Sequence, residues 1–233
     1  MNMNFLHRNL FAKLRAENFS TGEQMEPMTH FKHEKINRMM ENIQNMPPGS
    51  VEFNNFFLNK RFVKLQNDER HAIDTSVETL YLLRLIVGNI NGMLSYGISL
   101  RGIVQLGNYL RTRGDKVDFV KLENWLRRLH IRRMAQLQGS ILMRFFNFEQ
   151  DELPFVRHVE KGAYKLTLQA LYFNIKDKRE IKFEQNNIGL VQTQGTGMRK
   201  QVFHSMRYFP YAPLETTSGL FRNVTRSLSE LEE

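Results

Sequence analysis

The chain has 233 residues, 41% hydrophobic and 24% charged, a composition that suits one or two domains with a sizeable core. It has no cysteine, which excludes disulfide frameworks, Cys-ligated zinc, iron–sulfur clusters and thiol nucleophiles and fits a reducing, cytoplasmic location. Lysine and arginine total 33 against 24 acids, a net charge of +9, and the excess falls mainly in residues 101–150, with ten bases and four acids.

Asn4–Asn18 and Phe31–Gln44 read as helices, and residues 1–46 are expected to form an N-terminal helical arm. Leu6, Leu10, Phe11 and Leu14 lie at helical spacing with Arg8, Lys13 and Arg15 between them. That favours an amphipathic helix docked on the domain over a targeting or membrane-surface helix. Met46-Pro47-Pro48-Gly49-Ser50 must then break the helix, since proline removes a donor and glycine frees the backbone. Val51–Leu65, with Phe53, Phe56, Phe57 and Phe62 among asparagines, reads as a strand followed by a turn. Thr75 and Glu78 have capping-box spacing at the start of the next helix. Its run from Leu80 to Val87 is apolar on nearly every face, which marks a buried central helix. Gly88 and Gly92, four apart, would admit a neighbouring helix closely. The longest uncharged stretch, Leu85–Leu100, is shorter than the ~20 apolar residues of a membrane span, so no transmembrane segment is expected.

A helix from Ser99 to Thr112 should stop at Gly114, placing Arg101, Gln105 and Asn108 on one polar stripe. Asp118 should cap another, whose Phe119, Leu122, Leu126 and Leu129 face inward. A break near His130-Ile131 keeps Arg132 and Arg133 out of that apolar sector. A fresh helix then turns Met134, Leu137, Ile141 and Phe145 inward. Glu149–Pro154 reads as a loop and Gly162–Phe173 as a helix. Arg179–Thr193 has room for a hairpin at Asn186-Asn187. Gly195-Thr196-Gly197 joins it to a helix from Met198 to Tyr208, and a last helix runs through Leu220, Val224 and Leu228. The expected fold is mainly α, a multi-helix globular bundle with at most one short β-hairpin. Residues 51–175 form its helical domain, and 176–233 pack on the same domain.

Chemical motifs are sparse. The histidines are scattered, and His30 and His33 sit among Lys32 and Lys35, which would repel a cation. There is no nucleophile elbow and no Walker loop. Gly195-Thr196-Gly197-Met198-Arg199-Lys200 lacks the full spacing of a phosphate cradle. No catalytic residue, metal ligand or cofactor is therefore expected. What remains is basic: Arg101, Arg111, Arg113, Arg127, Arg128, Arg132 and Arg133 form a candidate anion-binding set. Arg101 leads it, because its helix face is otherwise polar and uncharged. An equally weighted reading makes Arg101 a cap on neighbouring carbonyls.

Several segments together carry a resemblance. They are Asn55-Phe56-Phe57-Leu58-Asn59-Lys60-Arg61-Phe62, the helix ending near Leu94, Gly97-Ile98-Ser99-Leu100-Arg101-Gly102-Ile103, Val117-Asp118-Phe119, Leu129-His130-Ile131 and Glu152-Leu153-Pro154-Phe155. In order and spacing they resemble an uncharacterised nucleotidyltransferase-like family of bacterial surface-polysaccharide loci, over about residues 51–175. The likeness is to the helical half that follows that family's catalytic core. Catalytic-looking members carry a Gly-Ser turn and an Asp-x-Asp pair for magnesium. Here Gly49-Ser50 leads into Val51-Glu52-Phe53, with no further acid until Asp68. Histidines late in the family's central helix, and an aspartate after its Gly-Ile-x-Leu-Arg motif, correspond here to Gly88, Asn91, Gly92 and Gln105. The resemblance thus implies a non-catalytic binding or regulatory module for a protein partner or an anionic ligand. An enzyme with an atypical site and a basic nucleic-acid binder are the alternatives.

Overall fold

Asn4 starts the first helix, α1 (Phe5–Phe19), by accepting the amide of His7 on its side-chain oxygen at 2.8 Å. The fold comes from a computed structural model describing residues 3–180 and 205–219, with backbone alone for 172–180. It is mainly α: α2 (His30–Gln44), α3 (Phe56–Arg70), α4 (Val77–Tyr96), α5 (Leu100–Arg113), α6 (Phe119–Arg128), α7 (Arg132–Phe146) and α8 (Gly162–Glu180) follow in order. A single 3-10 turn, Gly114–Lys116, separates α5 from α6, and residues 213–219 are helical. No strand occurs among the described residues. The hairpin expected at Asn186-Asn187 lies outside them, as do most of the helix from Met198 and the helix through Leu228; Arg179 still belongs to α8.

The helices share one hydrophobic core, in which α4 and α7 are central. Leu82, Leu83, Ile86 and Ile90 of α4 and Leu137, Ile141 and Phe145 of α7 all belong to that cluster. The first helix belongs to the same core: Phe11 stacks on Phe145 at 4.4 Å between centroids and meets Phe146 edge-on at 5.7 Å. Asp118 caps α6 by accepting the amide of Lys121, and Ser99 caps α5 through the amide of Gly102, as their positions in the sequence suggest.

Three local expectations are corrected. Val51–Leu65 is not a strand and turn, because Asn55 accepts the amide of Leu58 and starts α3. The buried residues Leu58, Phe62, Leu65 and Glu69 then keep a helical period that outweighs the aromatic, strand-like composition. Thr75 does not form a capping box. Its hydroxyl bonds back to the carbonyl of Ala72, while the Glu69 carboxylate accepts the amide of Ser76, the residue before α4. Finally, a loop rather than a helix occupies the Gly88/Gly92 notch. The backbone of Gly49 lies so close that a β-carbon there would collide with the Gly88 carbonyl and the Gly92 amide. Asn91, between those glycines, holds the loop by donating to the carbonyls of Ser50 and Glu52.

Candidate functional site

The turn between α6 and α7 is built by backbone geometry. His130 takes a left-handed conformation (φ 56°), its amide bonds to the carbonyl of Arg127, and the amide of Ile131 reaches the carbonyl of Leu126 at 3.0 Å. This is a Schellman closure with histidine where glycine is usual, sealed by the buried side chains of Leu126 and Ile131. It sets Arg127 and Arg128 in the last turn of α6, where cations suit the helix dipole. Arg132 and Arg133 fall in the first turn of α7, where they do not. No side chain caps the first amides of α7.

One carboxylate organises this corner. Glu123 Oε1 lies 2.9 Å from Arg132 Nε, 3.3 Å from Arg157 Nη2 and 3.8 Å from Arg127 Nη2. A guanidinium carries about five N–H donors, so three of them exceed what one carboxylate can accept. Arg127 and Arg157 are exposed, and exposed Arg128 forms no ion pair among the described residues. The corner is a set of arginines gathered on one carboxylate, with donors to spare. Arg133 points elsewhere: it donates to the carbonyl of Pro210 at 2.8 Å, lies 3.4 Å from buried Glu160 and sits over the Tyr211 ring. Burial, then the Glu160 charge, pushes the Tyr211 phenol upward.

The remaining candidates are dispersed. Arg101 donates to the carbonyls of Gln44 (2.9 Å) and Met46 (3.4 Å), holding the end of α2. Arg111, ten residues and ~15 Å along the helix axis from Arg101, pairs with Glu152 at 2.9 Å and stacks over Phe148 and Phe19. Arg113 lines a shallow cleft of ~210 Å³ with Val77, Glu78, Tyr81 and Tyr109. There the rings of Tyr81 and Tyr109 lie 4.8 Å apart, and burial raises the Tyr109 phenol. A second, polar hollow of ~50 Å³ includes Asn54, Ser205, Glu215 and Thr216.

Of the seven arginines singled out in the sequence, the structure brings Arg127 and Arg132 together on Glu123, with exposed Arg128 next to them in the chain. It adds Glu123 and Arg157, which sequence reasoning missed. Glu123 was within reach of it, since a glutamate four residues before an arginine pairs along a helix. Arg157 lies in a loop after α7, and no spacing rule links it to α6. Among the described residues, no group of three His, Asp or Glu side chains is placed to hold a metal ion, and no helix is long and apolar enough to cross a membrane. In comparisons with known proteins, no family model matches the chain, nor does any curated protein or solved structure.

Proposed function

We propose that the chain is a non-catalytic binding module, related to the helical half of the nucleotidyltransferase-like family, which takes an oxyanion-bearing ligand at the α6–α7 corner. The observation that carries this reading is the convergence of Arg127, Arg132 and Arg157 on the single carboxylate of Glu123. Arginine forks match phosphate and carboxylate oxygens in pairs, which a lysine ammonium does not. Glu123 holds the forks in place before a ligand arrives, so less side-chain freedom is lost on binding. The non-catalytic part rests on Gly49-Ser50, which stands where the family's metal-binding turn would be. In this chain that turn is given over to packing on α4.

The test is calorimetric titration with tripolyphosphate at low and moderate salt. Binding should weaken at least roughly tenfold when Arg127, Arg132 and Arg157 are all changed to alanine, and it should weaken with added salt. Arg111→Ala, at another site, should leave it unchanged. Equal affinity in the triple variant would overturn the assignment of the corner. Turnover of a magnesium nucleotide would overturn the non-catalytic reading.

A further inference from the structure

Helix α3 has two faces of opposite character. Leu58, Phe62, Leu65 and Glu69 form its buried stripe. On the opposite side, Phe56, Lys60, Val63 and Lys64 recur at helical spacing, flanked by Phe57 and Arg61. Phe56 and Phe57 are 72% and 71% exposed; among the other described aromatic side chains Phe31 is as exposed, Tyr81, Tyr96 and Phe209 are about half exposed, and the rest are covered or partly covered. They touch only edge to face, 5.7 Å between centroids, and so form a small apolar wedge at the start of the helix. Lys60, Arg61 and Lys64 are exposed and form no ion pair among the described residues. Asp68, one turn beyond Lys64, is the exposed acid on this helix.

We propose that this face docks on an anionic lipid bilayer. Phe56 and Phe57 enter the headgroup–acyl boundary, and Lys60, Arg61 and Lys64 lie against the lipid phosphates and carboxylates. A helix with aromatic and aliphatic groups on its outward face and cations among them is suited to the bilayer interface. Each juxtamembrane cation adds attraction to an anionic leaflet. Two further features favour lipid over single-stranded nucleic acid. Val63, half exposed on the same face, offers no ring on which a base can stack. In addition, Glu215 and Ser218 bond to Asn54 and Asn55 at the start of α3, which brings exposed Leu214 to the same end. The proposal stands apart from the arginine corner and uses none of its residues.

Co-sedimentation of the full chain with vesicles tests it, using phosphatidylcholine alone or phosphatidylcholine mixed with phosphatidylserine. Binding to the mixed vesicles is expected, with little to the neutral ones. Phe56→Ser with Phe57→Ser should weaken it at least roughly tenfold, as should Lys60→Gln with Arg61→Gln and Lys64→Gln. The alanine variant of Arg127, Arg132 and Arg157 should bind vesicles as the parent does, so the two sites fail independently. These side chains face outward, so the variants should unfold at the parent's temperature. A Phe57→Trp variant should show a blue-shifted emission component on the mixed vesicles. No binding to the mixed vesicles, or binding indifferent to the phenylalanines, overturns the proposal. Tighter, phenylalanine-dependent binding to oligothymidylate would reassign the face to nucleic acid. Phenylalanine-dependent dimerisation would reassign it to a second copy of the chain.

Discussion

His7 sits in the first turn of α1 with 3% of its surface exposed, close enough to Lys35 to feel its charge. Burial first, and the lysine second, hold its imidazole below the ordinary value of 6.5. The folded protein therefore prefers neutral His7, while the unfolded chain takes up a proton as soon as the pH drops below about 6.5. Between those two pKa values the unfolded state binds more protons, so stability rises with pH and is lost on acidification. Urea unfolding should show a fall in stability beginning near pH 6.5, and His7→Gln should flatten that part of the curve. The carboxylate of Glu23, held low by hydrogen bonding from Arg15, has the same sign in a different window. Its contribution is lost only as the pH falls below about 4.5, the ordinary carboxylate value. An unchanged slope between pH 6.5 and 5 in His7→Gln would show that another group titrates there. Arg101 illustrates what sequence leaves open at this scale: its polar stripe suits an anion contact and a carbonyl cap equally, and only the position of α2's end decides which partner it meets.

Helix starts were legible where one side chain settles them, as at Asn4, Ser99 and Asp118. They were not where a distant group intervenes. The start of α4 depends on Glu69 reaching across from α3 while paired with Lys121, and neither contact follows from local spacing. Reading Val51–Leu65 as a strand and turn has a larger consequence, since alternating faces would put Phe57, Arg61 and Val63 on the side opposite Phe56, Lys60 and Lys64, whereas a helix gathers them. The glycine pair in α4 marks a point of close approach, but nothing in the sequence says that a loop fills it. That contact gives a sharp expectation. Gly49→Ala places a methyl against two backbone atoms that cannot swing aside, so the loop or α4 must move. A loss of about 1–3 kcal/mol in urea unfolding is expected, the usual cost of overpacking. Gly22→Ala, with open space around the added carbon, should fall within about 0.5 kcal/mol of the parent. Equal stability of the two variants would mean that the loop does not rest on α4.

Regional charge sums pointed to residues 101–150 as the basic part of the molecule, and folding redistributes that signal. Arg101, Arg111 and Arg133 are tied to carbonyls, acids or rings of other elements, while Arg157 from a later loop joins the corner. Residues 51–100 carry five bases and five acids and sum to zero, yet α3 sets three cations on one face with two exposed phenylalanines. Sums over sequence cannot see such segregation, because faces are defined only once the helices are placed. The same holds for the ends of the chain. Glu215, 1% exposed, accepts the amides of Asn54 and Asn55, while Asn55 donates to Ser218 at 2.9 Å. A carboxylate some 160 residues away thus satisfies the start of α3 and ties residues 213–219 to the domain. Glu215→Ala takes the acceptor from those two half-buried amides, at about 1–3 kcal/mol in urea unfolding. Ser218→Ala removes one neutral bond near the surface and should cost about 1 kcal/mol or less. Hydrogen exchange locates the effect: in Glu215→Ala the amides of Asn54 and Asn55 should lose protection, while those in the middle of α7 exchange as the global stability dictates. If both amides stay protected and stability is unchanged, the C-terminal segment is held by its apolar contacts alone, and Glu215 is not the tether.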